Sequence, residues 1–307
     1  MPGPSVADLT SAIGASVLSY GWAAGVVVVA SARADGPSGS DALGNAIAQL
    51  SDVCDGIAAD RRAIVVGSHS AAMAETRRFA SEIRDVGASL VNPALFPPTV
   101  MNATSGQAAI RHCCEGPNVT LSNGATSALD ALVHAADLVT DGRASLVLAG
   151  GFETRQAPAD GPAAVAVVWA IMDEQQARRA GRSVLGWLLG TASGSAVQLE
   201  AADPTTNVMN FRSWLAAVAA GAARSVLERE AEWDQLGVVH VSTAEEALTA
   251  MAEGFELRLS ALTACRGGEL VGTAVVVASA VSNGTYLHSE GSKYSRPANQ
   301  TDGRTDG

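Results

Sequence analysis

The chain has few aromatic and few basic side chains, and each shortage narrows what the protein can be. Only 4% of the 307 residues are aromatic, so the interior has to be built from small aliphatic side chains. Lysine occurs once, at Lys293, and 20 basic residues face 31 acidic ones, for a net charge of −11. Binding to nucleic acid or to anionic lipid needs positive surface, and the composition argues against both. The 48% of apolar residues excludes a chain that is disordered throughout.

Cysteine is scarce, and its spacing excludes the usual metal motifs. The four cysteines are Cys54, Cys113, Cys114 and Cys265, and no two have the Cys-x-x-Cys spacing of a zinc or redox site. None of the five histidines lies at ligand spacing from a cysteine, so the sequence predicts no metal. We expect free, buried thiols and a location in the reducing cytoplasm.

A long uncharged stretch occurs near the N-terminus. Residues 11 to 32 contain no charged side chain, which suits the length of a transmembrane helix. Glycines interrupt the stretch, however, and no positive segment precedes it as in a signal peptide. Four consecutive valines at 26–29, bounded by Gly25 and Ser31, are more typical of a buried strand, which is the interpretation we adopt.

The remaining pattern alternates apolar runs with amphipathic segments. The apolar runs predict strands at 63–66, 119–121, 145–149, 163–171, 184–189 and 238–241, with 272–281 ambiguous between strand and helix. The amphipathic segments predict helices at 42–59, 71–86, 126–140, 214–229 and 244–262, whereas three prolines make 92–105 irregular. Nearly continuous apolar strands favour a largely parallel sheet with helices on both faces. We divide the chain into residues 1–180, a smaller second half at 181–288, and a disordered tail at 289–307.

Residues 92 to 153 resemble the N-terminal half of a β-ketoacyl synthase, a condensing enzyme of the thiolase fold. The motifs that carry the resemblance are NPALFP at 92–97, Asn102, Gly116-Pro117, LDAL at 129–132 and LAGGFE at 148–153. Within that family, SGQAAIRH at 105–112 is most similar to the chain length factors, the partner subunits of type II polyketide ketosynthases. The resemblance implies an α/β, thiolase-like layered α/β/α/β/α sandwich of two related halves, the second half shortened.

The positions of the family's catalytic residues indicate whether this chain could carry out the family's reaction. Its nucleophilic cysteine lies eight residues after the proline of Gly-Pro, at a strand-to-helix turn that activates the thiolate. That count places Ala125 at the nucleophile position. The two catalytic histidines fall on Val241, one residue beyond His240, and on Glu269. The resemblance therefore predicts that the Cys-His-His triad is absent, and we assign no catalytic residue.

The resemblance also implies a function and partners. It predicts a non-catalytic subunit that pairs with a β-ketoacyl synthase and shapes the tunnel for a growing polyketide or polyene chain. No cofactor of its own is implied, since phosphopantetheine arrives on the partner acyl carrier protein. A net charge of −11 repels an acidic carrier, so we expect the carrier to dock mainly on the ketosynthase. Candidate tunnel residues are Phe96, Thr99, Val100, Met101, Asn102, Ala125, Thr126 and Leu129; candidate interface residues are Val119, Thr120, Leu121, Arg111 and His112.

Two alternatives stay open on the sequence. One is an active condensing or acyl-transfer enzyme that uses a relocated nucleophile at Cys113, Cys114 or Cys265. The other is a stand-alone acyl-binding scaffold of thiolase fold that works without a ketosynthase. The alternatives differ in the presence of a reactive thiol and in the behaviour of the chain when it is produced alone.

Overall fold

A computed structural model describes residues 15–154, 163–196, 215–220, 237–253, 259–265 and 270–280. Six helices are bounded within these ranges: α1 (Gly39–Ala48), α2 (Met73–Val86), α3 (Ala103–Arg111), α4 (Ser127–Thr140), α5 (Glu174–Arg179) and α6 (Ala244–Glu253). Residues 215–220 are also helical. The strands are β1 (Ala15–Gly36), β2 (Arg62–Gly67), β3 (Asn118–Leu121), β4 (Leu146–Thr154), β5 (Ala164–Asp173), β6 (Gly186–Ala196), β7 (Gly237–Val241), β8 (Leu259–Cys265) and β9 (Leu270–Ser279).

All nine described strands belong to one sheet, and its order repeats. The strand order is β3-β2-β4-β5-β1-β6-β9-β8-β7. The series β2-β4-β5-β1 has one parallel pair followed by two antiparallel pairs. The series β7-β8-β9-β6 has the same succession of pair directions. The two series meet at the centre of the sheet, where β1 pairs with β6. The two halves are therefore related. Among the described residues, β3 has no counterpart in the second half.

Two helices pack between the two halves of the sheet, and other helices cover the outer faces. One core cluster contains Leu132 of α4 and Leu248 of α6 together with Val147 of β4 and Val277 of β9, so these two helices pack against both halves of the sheet. A second cluster places α1, α3 and α5 on the outer face of the first half, and residues 215–220 pack in the same cluster with β9 side chains such as Val276. This arrangement is the layered α/β/α/β/α sandwich that the resemblance implies.

The expectation of a largely parallel sheet is wrong. Three strand pairs are parallel (β2 with β3, β2 with β4, β7 with β8), whereas five are antiparallel. The strands are nearly continuously apolar because helices cover both faces, as the fully buried run of β5 shows. The continuous apolar pattern therefore reflects burial of the strands on both faces and does not indicate strand direction.

Three element boundaries also differ from the sequence predictions. Helix α6 ends at Glu253, and part of the segment predicted as its continuation forms β8. Helix α1 ends at Ala48 and is followed by a 3₁₀ turn at Ser51–Cys54. Strand β4 continues through Gly150 and Gly151 to Thr154. A Cβ at Gly150 would lie 2.1 Å from the Val167 carbonyl oxygen, so glycine there permits close strand approach instead of ending the strand.

The segment at residues 70–102, here called the excursion, leaves β2 and returns at α3. It contains α2 and two 3₁₀ turns at Pro93–Leu95 and Pro97–Thr99, so the proline-rich part is locally regular up to the start of α3 at Ala103. No residue of α2 is buried, and its described aromatic contact joins Phe79 to Phe96 with ring centroids 5.7 Å apart. The excursion is thus held to the body mainly at its two ends.

Several predictions fall partly or wholly outside the described residues. Residues 215–220 agree with the predicted helix at 214–229, whose remaining residues lie outside that range, as does the tail at 289–307. The domain boundary at residue 180 falls between α5 and β6 and stays a prediction. Within the described ranges, no helix has the length and apolar character needed to cross a membrane.

Candidate functional site

The turn that carries Ala125 has the strand-to-helix form that the sequence predicts. Strand β3 ends at Leu121, a 3₁₀ turn spans Gly124–Thr126, and α4 begins at Ser127. The Ser127 hydroxyl accepts a hydrogen bond from the Asn123 backbone N–H (2.9 Å) and donates one to the Gly124 carbonyl (2.6 Å), which fixes the turn. Ala125 is buried, and its methyl group supplies neither a nucleophile nor a proton.

Asp130 links this turn to the second half of the molecule. Its Oδ2 accepts hydrogen bonds from the Thr126 hydroxyl at 2.8 Å and from the Asn123 side-chain amide at 3.0 Å. Its Oδ1 accepts a hydrogen bond from the Thr273 hydroxyl on β9. Thr126 and Thr273 are both almost fully buried, so the contact is shielded from water. Three donors converge on this one carboxylate, and together they hold the turn against β9.

Val241, the candidate position for the first histidine, and the neighbouring His240 lie in different surroundings. Val241 is buried in the inner core with α4 and α6. His240 lies half-exposed on the other face of β7, where its Nδ1 is 2.5 Å from the Thr263 hydroxyl of β8. Strand alternation thus separates the one histidine of this strand from the core that contains Val241. Glu269 lies outside the described residues, and the motif residues Gly272 to Ala274 that follow it belong to β9.

Comparisons with known proteins show similarity to β-ketoacyl synthases. Residues 51–203 match the family model for the β-ketoacyl synthase N-terminal domain. The 3-oxoacyl-[acyl-carrier-protein] synthase 2 of Vibrio harveyi is 32% identical over 78 residues, which are 25% of this chain and 19% of that enzyme. The enzyme of the same name from Coxiella burnetii is 26% identical over 100 residues, which are 33% of this chain and 24% of that enzyme. The matching segments thus span about a fifth to a quarter of these curated relatives.

The chain is β-ketoacyl-synthase-like. Solved structures share its fold at low sequence identity. A type II polyketide synthase acyl carrier protein in complex with its ketosynthase bound to the hexaketide matches with a TM-score of 0.66 at 11% identity, covering 83% of this chain and 99% of that one. A β-ketoacyl synthase from Burkholderia phymatum STM815 gives 0.56 at 12% identity, covering 78% and 81%. The ishigamide ketosynthase/chain length factor gives 0.50 at 18%, covering 73% and 75%.

The tunnel residues predicted for this ketosynthase-like chain fall into two groups, and their role stays a prediction. Ala125, Thr126 and Leu129 are buried at the start of α4. The excursion contributes the others, of which Thr99 is partly buried and the rest are exposed: Phe96, Val100, Met101 and Asn102. The structure does not bring the second group into the interior of this chain.

The predicted interface residues lie at one edge of the sheet. Strand β3 pairs with β2 on one side and is the last strand in the order, so its other edge carries no described strand. Val119, Thr120 and Leu121 are half-buried. The Thr120 hydroxyl lies 2.7 Å from that of Ser105 on α3, which fixes α3 beside this edge.

Arg111 and His112 lie at the end of α3, next to α1. A Cβ at Gly44 would come within 2.8 Å of the Arg111 guanidinium, so glycine makes room for this side chain. Burial and the adjacent Arg111 charge lower the pKa of His112, partly offset by a hydrogen bond to the Gly44 backbone. His112 is therefore less able than an exposed histidine to bring positive charge to a phosphate at neutral pH.

The cysteines differ in exposure, so the expectation of buried thiols is wrong for Cys113. Cys54 and Cys114 are buried, whereas Cys113 is exposed in a left-handed backbone conformation with φ of 52°. Burial, together with the nearby Cys54, raises the pKa of the Cys114 thiol to about 11, and burial also raises that of Cys54. Such thiols are poor nucleophiles at neutral pH. The side chain of Cys265 lies outside the described residues, and the ranges described contain no cluster of metal-ligating side chains.

An open depression of about 480 Å³ lies between β7 and α6. Its lining includes Val241 and His240 together with Glu245, Glu246 and Glu253. Glu246 belongs to the cap of α6, because its carboxylate accepts from the Ser242 N–H at 2.7 Å and its own N–H donates to Thr243 Oγ1 at 3.1 Å. The sequence predicted neither this depression nor the role of Asp130, although Asp130 lies within the LDAL motif.

Proposed function

We propose that this ketosynthase-like chain is a non-catalytic subunit, of the chain length factor type, that pairs with a β-ketoacyl synthase. The observation that carries the proposal is the methyl group of Ala125 at a well-formed strand-to-helix turn. A ketosynthase needs a thiolate there, activated by the helix N-terminus, and alanine removes the acyl-accepting atom. The fold without the nucleophile suits a subunit that shapes a partner's reaction.

Exposed apolar surface supports a partner that covers the excursion. Eight large hydrophobic side chains of the described residues are exposed, and seven of them lie between residues 73 and 110. Leu90 is 76% exposed, Ile110 83% and Phe96 57%. A concentration of this kind marks an interaction surface in a stable protein. It adjoins the open edge of β3, where pairing with a partner strand would protect the backbone groups.

The partner that fits is a β-ketoacyl synthase. Two thiolase-fold subunits of related shape can bury this face around a pseudo-twofold axis, as homologous subunits commonly do. The exposed tunnel candidates Phe96, Val100 and Met101 would then be enclosed at the joint surface, where a bulky side chain limits chain growth by excluded volume. The growing chain would be a polyketide or polyene on an acyl carrier protein, which docks mainly on the ketosynthase.

Purification with and without the partner tests this function. The chain is produced alone and together with a type II β-ketoacyl synthase from the same organism, and the mass of each species is measured by light scattering after size-exclusion chromatography. We expect a 1:1 complex with the partner and a poorly soluble chain without it. A well-behaved homodimer with condensing activity would contradict the proposal, and an inactive homodimer that binds acyl chains would favour the scaffold alternative.

Matched surface variants locate the interface. Leu90→Ser and Ile110→Ser remove exposed apolar area from the face assigned to the partner, and each is expected to weaken the complex by about tenfold. Val238→Ser removes the remaining exposed hydrophobic side chain, which lies on β7 in the other half and is 42% exposed. This control should leave the complex intact. Equal effects of all three variants would place the interface elsewhere.

A further inference from the structure

The root of the excursion is closed around a buried carboxylate. Glu153 lies near the end of β4 and is 7% exposed. Its Oε1 accepts a hydrogen bond from the His69 backbone N–H at 2.5 Å. Its Oε2 accepts hydrogen bonds from the Ser70 backbone N–H at 3.0 Å and from the Ser70 hydroxyl at 2.7 Å. Consecutive backbone N–H groups thus form an anion-binding concavity, and Glu153 fills it.

Neighbouring contacts make the root a closed unit. The Ser68 hydroxyl, fully buried, accepts from the Ala71 N–H at 2.7 Å. The Ser70 hydroxyl in turn accepts from the Thr154 N–H at 3.0 Å, so the chain leaving β2 is tied to the end of β4 twice. Ala71 adopts φ of 33°, a left-handed conformation that is unfavourable for alanine. Strain of this kind persists only when the surrounding contacts impose it.

The excursion has few other attachments to the body. Helix α2 buries no residue, and its described ring contact, between Phe79 and Phe96, stays within the excursion. At the other end, the Ser105 hydroxyl donates to the Asn102 carbonyl at 3.0 Å and contacts Thr120. A segment with so little burial opens locally at low free energy unless its ends are fixed.

We propose that Glu153 is a positioning residue, whose carboxylate fixes the root of the excursion and thereby the placement of the apolar surface on residues 73–101. The functional part of this inference rests on the proposed function, because it concerns the surface assigned to the ketosynthase. Hydrogen bonds to a buried carboxylate are charge-assisted and stronger than neutral ones, so no neutral side chain replaces it fully. Glu153 acts on the excursion through the backbone of His69 and Ser70.

Limited proteolysis reads the placement directly. Arg77, Arg78 and Arg84 are exposed on α2 and give tryptic cleavages that mass spectrometry assigns. In Glu153→Ala we expect about tenfold faster cleavage at these three sites. Cleavage at Arg61 and Arg182 serves as the internal reference, because their guanidinium groups donate to backbone carbonyls of the body. Unchanged cleavage on α2, or equal acceleration at all five sites, would overturn the inference.

Chemical rescue separates positioning from general destabilisation. Glu153→Ala removes one methylene and the carboxylate, a space that acetate matches in size and charge. Acetate should restore the protection of α2 in Glu153→Ala and should not do so in Glu153→Gln, where the amide occupies the space. Chloride at equal ionic strength is the control. Failure of acetate to restore protection would overturn the role of the carboxylate.

A milder variant covers the case in which Glu153→Ala does not fold. Ser70→Ala deletes one donor to Glu153 and the acceptor for the Thr154 N–H, and should give an intermediate acceleration on α2. In the complex with a ketosynthase, each variant should lose affinity in proportion to its cleavage on α2. If cleavage responds as expected and the wild-type chain binds no ketosynthase, the proposed function fails and the positioning role of Glu153 stands.

Discussion

Two regions supply the residues that we predict for the acyl-chain tunnel, and they differ in what stabilises them. The turn around Ala125 is buried, is held by Ser127 and Asp130, and packs between the two halves of the sheet. The excursion at 70–102 exposes Phe96, Val100 and Met101 and is fixed mainly at its root and at its junction with α3. The first region is complete within this chain, whereas the second presents apolar surface that a partner would cover.

This difference separates two parts of the proposed function. The buried turn carries the non-catalytic part of the proposal, because Ala125 has a methyl group at the position where the resemblance places the nucleophilic cysteine. The exposed excursion carries the binding part of the proposal, because its apolar side chains would gain burial in a complex. Changes to the turn should therefore alter folding stability, and changes to the excursion should alter association.

The largest contrast is expected from a glycine-to-alanine substitution made next to each region. A Cβ at Gly67, at the end of β2, would lie 2.0 Å from the Ser127 carbonyl oxygen at the start of α4. Since the atoms that this Cβ would meet belong to the backbone and cannot rotate away, Gly67→Ala should lower the free energy of unfolding by about 3 kcal/mol. Urea denaturation monitored by circular dichroism measures the change.

Gly106→Ala is the matched control beside the excursion. Gly106 lies within α3, and a Cβ there meets no atom within 4 Å. Alanine in a helix is favoured over glycine, so this variant should be more stable by about 0.5–1 kcal/mol. Equal destabilisation by both variants would show that the turn is no more tightly packed than the end of the excursion.

The sequence predicts the local elements of the site better than their assembly. The strand at 119–121, the turn at Ala125 and the following helix are each encoded by neighbouring residues, and the structure agrees within a few positions. The hydrogen bond between Asp130 and Thr273 joins residues 143 positions apart, and nothing in either local sequence specifies it. Contacts of this range follow from the packing of the two halves.

Short apolar runs account for the main errors. Residues 259–262 were predicted as the end of the helix at 244–262, yet they belong to β8 (Leu259–Cys265). In this strand Leu262 and Ala264 face the inner core and Ala261 faces the outer one. Seven residues are too few for periodicity to distinguish the two structures.

Asp130→Asn tests whether the stability of the buried turn depends on the Asp130 carboxylate. Asp130→Asn keeps the size of the side chain but replaces one acceptor oxygen with an NH2 donor. In the wild-type chain the carboxylate accepts from the Asn123 amide and the Thr126 hydroxyl, so a donor facing these groups loses a hydrogen bond. Loss of the charge and of one acceptor should lower the free energy of unfolding by about 2 kcal/mol. Thr273→Val, which removes the donor on β9, should cost about 1 kcal/mol, measured by the same denaturation. An unchanged stability in Asp130→Asn would assign the packing of the turn to apolar contacts alone.

The smallest effect concerns two adjacent thiols, of which one is exposed and the other is buried. Cys113 is exposed at the end of α3, and Cys114 is buried with a pKa of about 11, compared with 9.0 for a free thiol. At pH 8 the thiolate fraction of Cys114 is roughly a hundredfold below that of a free thiol, before its burial slows access further. Iodoacetamide labelling followed by peptide mass spectrometry should therefore modify Cys113 first, at an ordinary rate, and Cys114 only as the pH approaches 11. A hyper-reactive Cys114 near neutral pH would instead favour an enzyme with a relocated nucleophile, because such reactivity requires an activated thiolate that burial here opposes.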